Sequence, residues 1–103
     1  MSSEIVYDFE WDPAKALANI RKHGVSFEEA ASVLLDPLAL TVYDDANSQL
    51  DERWFTLGQD LTGKLLAVAH THEMTGPANV RVRIISARKA TRQERRSYED
   101  ETA

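Results

Sequence analysis

The stretch VRVRIISARKATRQERRSY, residues 80–98, decides how this chain folds. In its first half, Val80, Val82 and Ile84 alternate with Arg81 and Arg83. Successive side chains of a strand point to opposite faces, so this pattern directs the apolar residues to one face and the arginines to the other. The alternation therefore predicts a half-buried sheet with cations on its solvent side.

The same stretch is the most basic part of the chain. It holds seven of the twelve lysines and arginines, whereas the chain as a whole has a net charge of −5. A local cationic strip that continues from a strand onto a helix is typical of phosphate binding. A solvated helix face is the alternative interpretation of such a run.

Length and composition limit the class of protein. A chain of 103 residues, 43% of them hydrophobic, predicts a single globular domain over residues 1–103. The lack of cysteine excludes disulfides, thiolate catalysis and cysteine-based zinc sites. No segment is apolar over the length needed to span a bilayer, and the acidic N-terminus lacks a signal-peptide pattern. We therefore expect a cytoplasmic protein without a membrane partner.

Capping signals predict three helices. Each begins with a residue suited to the N-cap, followed either by proline or by glutamate three positions later. The three signals are Asp12-Pro13, Ser26 with Glu29, and Thr91 with Glu94. We expect Gly24 to end the first helix and Asp36-Pro37 to end the second. The acidic residues 99–103 are predicted to be a flexible tail.

Between these helices the sequence is rich in strand-forming residues. Four strands are predicted, at residues 38–43, 52–58, 65–72 and 79–87, with polar loops at 44–51 and 73–78. Residues 5–11 are interpreted as an edge strand or an ordered arm. The predicted fold is α+β, with two N-terminal helices over one face of a four-stranded antiparallel sheet, and a C-terminal helix.

Metal-free cleavage of RNA requires a group that moves protons and cations that stabilise charge on phosphorus. His23 and His70 are candidates for the first role, because histidine titrates near neutral pH. Arginines suit the second role, because a planar guanidinium makes paired bonds to phosphate oxygens. The candidate arginines are Arg53, Arg81, Arg83 and Arg88.

Each candidate also has a structural interpretation. His23 next to a glycine is suited to a helix C-terminus, and His70 in an apolar strand is typical of a core histidine. His70 and His72 share a strand face, but no carboxylate has ligand spacing beside them, so no metal site is predicted. Trp54 and Phe55 are interpreted as core residues, with base stacking as the alternative.

Several motifs together resemble one known family. They are FEWD at residues 9–12, KHGVSF at 22–27, ERW at 52–54, HT at 70–71 and RIISAR at 83–88. In this order they resemble the BrnT toxins of bacterial type II toxin–antitoxin modules, over residues 9–98. The combination is specific to that family, whereas any one motif alone is weak.

The resemblance implies a RelE-like fold and an endoribonuclease that arrests translation by cutting mRNA or ribosome-associated RNA. It also implies a BrnA-like antitoxin with a ribbon-helix-helix part, through which the pair contacts operator DNA. No cofactor is expected. A non-catalytic co-repressor is the alternative function, and an inert, degenerate toxin is the third.

Roles carried over from the family fall on the matching positions. We expect Arg53, Arg83 and Arg88 to hold the scissile phosphate, while His23 or His70 moves protons. The expected RNA-binding residues are Lys22, which is also a matching position, and Arg81, Lys89 and Arg92, which are not matching positions but belong to the basic strip.

Overall fold

The computed structural model describes residues 4–47 and 52–102. Within these residues, six strands and three helices are present, with a short 3₁₀ turn at Asp45–Asn47. Their bounds are β1 Val6–Glu10, α1 Pro13–His23, α2 Phe27–Val33, β2 Leu40–Tyr43, β3 Trp54–Gln59, β4 Leu65–His70, β5 Glu73–Gly76, β6 Asn79–Lys89 and α3 Arg92–Thr102. The last part of the predicted polar loop, residues 48–51, lies outside the described residues.

The six strands form one sheet in the order β1-β6-β4-β3-β2, with β5 also paired to β6. The α+β class is therefore correct, but the prediction of four antiparallel strands is wrong. β1 runs parallel to β6, with Val6 opposite Asn79 and Glu10 opposite Arg83. Residues 73–76, predicted as loop, form β5 against the first half of β6. β1 stands at the edge of the sheet, which confirms the edge-strand interpretation of residues 5–11, and the two helices consequently follow a strand.

Local signals set the ends of α1 and α2. The Asp12 carboxylate accepts from the N–H of Ala14 at 2.8 Å, and Gly24 closes α1 in the left-handed region at φ 69°. Ser26 and Glu29 form a capping box at the start of α2. α2 ends at Val33, three residues before the predicted stop.

The main core lies between these two helices and the inner face of the sheet. Val80, Val82 and Ile84 are buried there, as the alternation predicted, whereas Arg81 and Arg83 are exposed on the outer face. The strands and helices contribute further buried residues to this core, namely Val25, Phe27, Ala30, Val33, Leu66, Val68 and Ala87.

A second, smaller core lies on the outer face, where α3 covers one corner of the sheet. Tyr98 packs there against Leu57, Leu65 and Ala67. Its hydroxyl donates to the Asp36 carboxylate at 2.7 Å, and burial together with this bond raises the pKa of Tyr98 to about 12. α3 extends to Thr102, so residues 99–102 of the predicted flexible tail are helical in the structure.

A bulge divides β6 into two halves. His70 lies opposite Ile84 and Ala69 opposite Ser86, so Ile85 is an extra residue in the pairing with β4. Arg83 and Arg88 are five positions apart and would face opposite sides of a regular strand. The extra residue places both arginines on the outer face.

Candidate functional site

Three adjoining cavities form one continuous depression along β6. Their volumes are about 430, 240 and 220 Å³. Glu10 and Arg83 line both the first and the second, while Lys15 and Ile85 line both the second and the third. We call this depression the β6 groove; its ionisable lining residues are Glu10, Asp12, Lys15, Lys22, His23, Glu52, His72, Glu73, Arg81 and Arg83.

Two arginines of β6 supply exposed cations to this groove. Arg83 Nε lies 3.9 Å from Glu10 Oε1, and the Arg83 side chain is 61% exposed. Arg81 Nη1 lies 3.0 Å from Glu73 Oε1, with its side chain 52% exposed. Solvent-exposed ion pairs of this kind contribute at most about 1 kcal/mol. An incoming phosphate can therefore replace either carboxylate at little cost.

The turn after β4 is fixed against Arg83 through the backbone. The Thr71 N–H donates to the Arg83 carbonyl at 3.0 Å, and the Arg83 N–H donates to Thr71 Oγ1 at 3.0 Å. This pairing brings the next residue, His72, into the same cavity as Arg81 and Arg83. His72 is half-buried, with its ring centroid 6.1 Å from that of Trp54.

Sequence reasoning gave His72 no catalytic role. The available signal was the polar HTHE run at residues 70–73, which ends a strand, and residues at strand ends commonly carry function.

His70, in contrast, is fully buried and bonded at both ring nitrogens. Nδ1 lies 2.8 Å from the Thr71 carbonyl oxygen, and Nε2 lies 2.6 Å from Thr56 Oγ1. A carbonyl oxygen only accepts, so Nδ1 carries the proton and Nε2 accepts from the Thr56 hydroxyl. That hydroxyl lies 2.8 Å from Thr41 Oγ1, so it can accept from Thr41 in turn.

Burial lowers the pKa of His70, which favours the neutral ring. With no exposed surface and both nitrogens occupied, His70 cannot reach a substrate in this structure. The structure therefore argues against its expected role in proton transfer and supports the core interpretation. A metal site formed by His70 and His72 is likewise unsupported, because both ring nitrogens of His70 are already bonded.

Arg88 also departs from its expected role as a phosphate clamp. Its guanidinium makes a two-bond ion pair with Glu94, at 2.8 and 3.0 Å, and lies over the Phe55 ring at 5.7 Å from the centroid. The bonds to Arg88 hold the pKa of Glu94 below its usual value. Glu94 also caps α3 through the Thr91 N–H. Arg88 thus connects β6 to α3, outside the described lining of the groove.

The remaining expected site residues are divided between the groove and other surfaces. Lys22 and His23 line the α1 end of the groove. Arg53 is half-buried before β3, where its carbonyl oxygen accepts from the Asp44 N–H at 2.8 Å, and it is not among the described lining residues. Lys89 and Arg92 are exposed at the junction of β6 and α3. The groove therefore contains four of the predicted residues, Lys22, His23, Arg81 and Arg83.

Asn19 fixes the α1 wall of the groove to the free edge of β6. Its side-chain oxygen accepts from the Ala87 N–H at 3.1 Å, and its amide nitrogen donates to the Ala87 carbonyl at 2.8 Å. The same nitrogen lies 2.8 Å from the Val25 carbonyl. Asn19 thereby replaces a neighbouring strand at this point, a role that no local sequence pattern indicates.

The residues that the structure describes contain no group of three histidine, aspartate or glutamate side chains placed to hold a metal ion. None of the helices within 4–47 and 52–102 has the length and hydropathy required to cross a membrane.

Comparison with known proteins bears on this geometry. Residues 11–94 match the family model described as the ribonuclease toxin BrnT of type II toxin–antitoxin systems. A 1.1 Å crystal structure of the Brucella abortus ribonuclease toxin BrnT is similar in fold, with a TM-score of 0.60 and 24% sequence identity. The match covers 84% of this chain and 100% of that chain. Comparison with curated protein sequences gave no match.

Proposed function

Because the chain belongs to the BrnT family of ribonuclease toxins of type II toxin–antitoxin systems, as its motifs predicted, we propose that it is a metal-independent endoribonuclease. We propose that its substrate lies in the β6 groove. The observation that carries this proposal is the shared cavity of Arg81, Arg83, His72, Glu10 and Glu52. These residues combine phosphate-binding cations with groups able to move protons.

The proposed reaction is attack of a 2′-hydroxyl on the adjacent phosphate. The O2′–P bond forms and the P–O5′ bond breaks, giving a 2′,3′-cyclic phosphate and a 5′-hydroxyl. Glu10, already beside Arg83, accepts the proton of the attacking hydroxyl. The His72 imidazolium protonates the leaving 5′-oxygen. Arg81 and Arg83 stabilise the negative charge that develops on the phosphorane oxygens.

The groove extends beyond one phosphate. Lys15 lines its middle, and Lys22 and His23 line its far end along α1. Charges placed in a row suit contact with successive phosphates of a single strand. We therefore assign Lys15 and Lys22 to RNA binding and leave the bond-breaking step to the end of the groove that contains His72.

The biological setting follows from the family. A type II module implies an antitoxin partner; we propose a ribbon-helix-helix antitoxin of the BrnA kind. Cleavage of mRNA or of ribosome-associated RNA in the cytoplasm would then block translation when the antitoxin is absent.

The test uses the purified chain freed of antitoxin, incubated with RNA in the presence of EDTA. We expect the wild type to leave cyclic phosphate ends. The cleavage rate of His72→Ala should be lower by roughly 100-fold, in line with the usual contribution of a general acid. His23→Ala, at the other end of the groove, is the matched control and should lose far less. RNA left intact with and without ribosomes, or cleavage abolished by EDTA, would contradict the proposal.

One observation favours the co-repressor alternative. Arg92, Arg95 and Arg96 are exposed on α3, away from the groove, and could contact operator phosphates beside an antitoxin. That alternative predicts neither toxicity nor cleavage, and operator binding by the pair that weakens steeply with salt.

A further inference from the structure

The orientation of α1 is unusual for a helix at the surface of a protein. Leu17 is 59% exposed and Ile20 is 46% exposed, whereas the residues turned toward the sheet are Ala16, Asn19 and His23. A surface helix normally packs its large apolar residues inward. Single exposed leucines are common, but here both large aliphatic residues of the helix face solvent.

The charge of α1 is also distinctive. Residues 13–23 contain Lys15, Arg21, Lys22 and His23 and no acidic residue, within a chain whose net charge is −5. Arg21 follows Leu17 by four positions, so the two side chains are neighbours on the helix surface. Arg21 therefore borders the exposed aliphatic pair, on a helix that is basic throughout.

This combination distinguishes between classes of occupant. An RNA backbone would use the cations, but it gains little from Leu17 and Ile20. A second copy of the chain would oppose cations with cations across a two-fold axis. A protein segment that carries both acidic and apolar side chains satisfies both features.

We propose that the outer face of α1, formed by Leu17, Ile20 and Arg21, is the docking surface for an acidic, amphipathic segment of the antitoxin. The proposal rests on the antitoxin partner and does not depend on the ribonuclease mechanism. Leu17 and Ile20 anchor the segment's apolar residues, and Arg21 pairs with its carboxylates.

This surface lies apart from the β6 groove. Side chains advance by about 100° per residue around a helix, so Lys15 and Lys22, which line the groove, lie on the flank of α1 away from Leu17 and Ile20. The outer face would therefore anchor the antitoxin without contact to the groove lysines.

In the experiment, the antitoxin is co-expressed with this chain and the complex is purified. The two proteins are then separated, and calorimetry measures their affinity when they are mixed again. The double variant Leu17→Glu/Ile20→Glu should weaken binding by about 100-fold or more, because it removes two central anchors and adds like charge. Arg21→Glu should weaken binding by about tenfold at low salt and less at high salt.

Leu35→Glu is the matched control, because Leu35 is 58% exposed after the end of α2 and lies outside α1. The affinity of this variant for the antitoxin should not change.

Hydroxyl-radical footprinting of the wild-type complex gives a second measurement that needs no variant. Leu17 and Ile20 should be modified in the free chain and protected in the complex. Unchanged affinity of the double variant, or continued modification of both residues in the complex, would overturn the proposal.

Cleavage of RNA by the free variants separates this inference from the proposed function. Leu17→Glu/Ile20→Glu should cleave as the wild type does and resist the antitoxin. If no form of the protein cleaves RNA but the double variant loses the antitoxin, the ribonuclease mechanism fails and the docking surface stands.

Discussion

The two halves of β6 place the same kind of side chain on the same face of the sheet but in different surroundings. Before the bulge at Ile85, the partner of Arg83 among the described residues is Glu10, which is exposed and 3.9 Å away. After the bulge, Arg88 has both ends of its guanidinium bonded to Glu94 and stacks over Phe55. Residue type and orientation are alike, so the difference lies in how completely each cation is already satisfied.

This difference separates the arginines of a basic motif into those that are open to a new partner and those that are already bonded within the fold. A cation with a weak, exposed partner can exchange that partner for phosphate. A cation held by two bonds would have to break both of them before it could bind phosphate. Within RIISAR, the first arginine therefore belongs to the groove and the last to the joint between the sheet and α3.

The largest expected effect comes from Arg83→Ala. Loss of the phosphate-binding cation should lower kcat/KM for RNA cleavage by roughly 10²–10³-fold, the usual result of removing one preorganised donor. Stability should change by less than about 0.5 kcal/mol, since the side chain is exposed. Arg92→Ala, also exposed but outside the groove, should cleave normally. Full activity in Arg83→Ala would remove this residue from the site.

Arg88→Ala should show the opposite pattern. Loss of the paired bonds to Glu94 and of the contact with Phe55 should lower the free energy of unfolding by about 1–2 kcal/mol. Denaturation in urea would show a lower midpoint with an unchanged slope. Cleavage per folded molecule should remain within a few-fold of wild type. A stable but inactive variant would return Arg88 to the role of phosphate clamp.

The smallest effect concerns pH. Arg88 holds the pKa of Glu94 below its ordinary value of 4.5, so the pair stabilises the fold above that pH and loses its contribution as the pH falls through the folded-state pKa. The stability gap between wild type and Arg88→Ala should consequently narrow below about pH 4.5. Unfolding curves recorded between pH 7 and 3 test this; a constant gap would show that the ion pair contributes little.

Features set by neighbouring residues were predictable from the sequence. The cap at Asp12, the glycine stop at Gly24 and the box of Ser26 with Glu29 each depend on residues within one turn, and all are present in the structure. The alternation from Val80 to Ile84 likewise identified the buried and exposed faces of β6.

Features set by distant residues were not predictable. β1 pairs with β6 from the other end of the chain, and no local pattern shows whether a short strand will be parallel. The buried Nε2 of His70 is satisfied by the hydroxyl of Thr56, which lies 14 positions away on the neighbouring strand. Sequence reasoning therefore could not tell the buried His70 from the half-buried His72 of the HTH run, because the end of the β4 pairing at His70 is not visible locally.

The parallel pair of β1 and β6 has a consequence for the order of synthesis. Ribosomes make β1 first, but its partner strand is among the last parts of the sheet to be translated. Glu10 and Lys15 cannot form a groove with Arg83 and Ile85 until those late residues have left the exit tunnel. A nascent chain that has not yet exposed β6 therefore lacks the groove, whichever of its earlier elements have already folded.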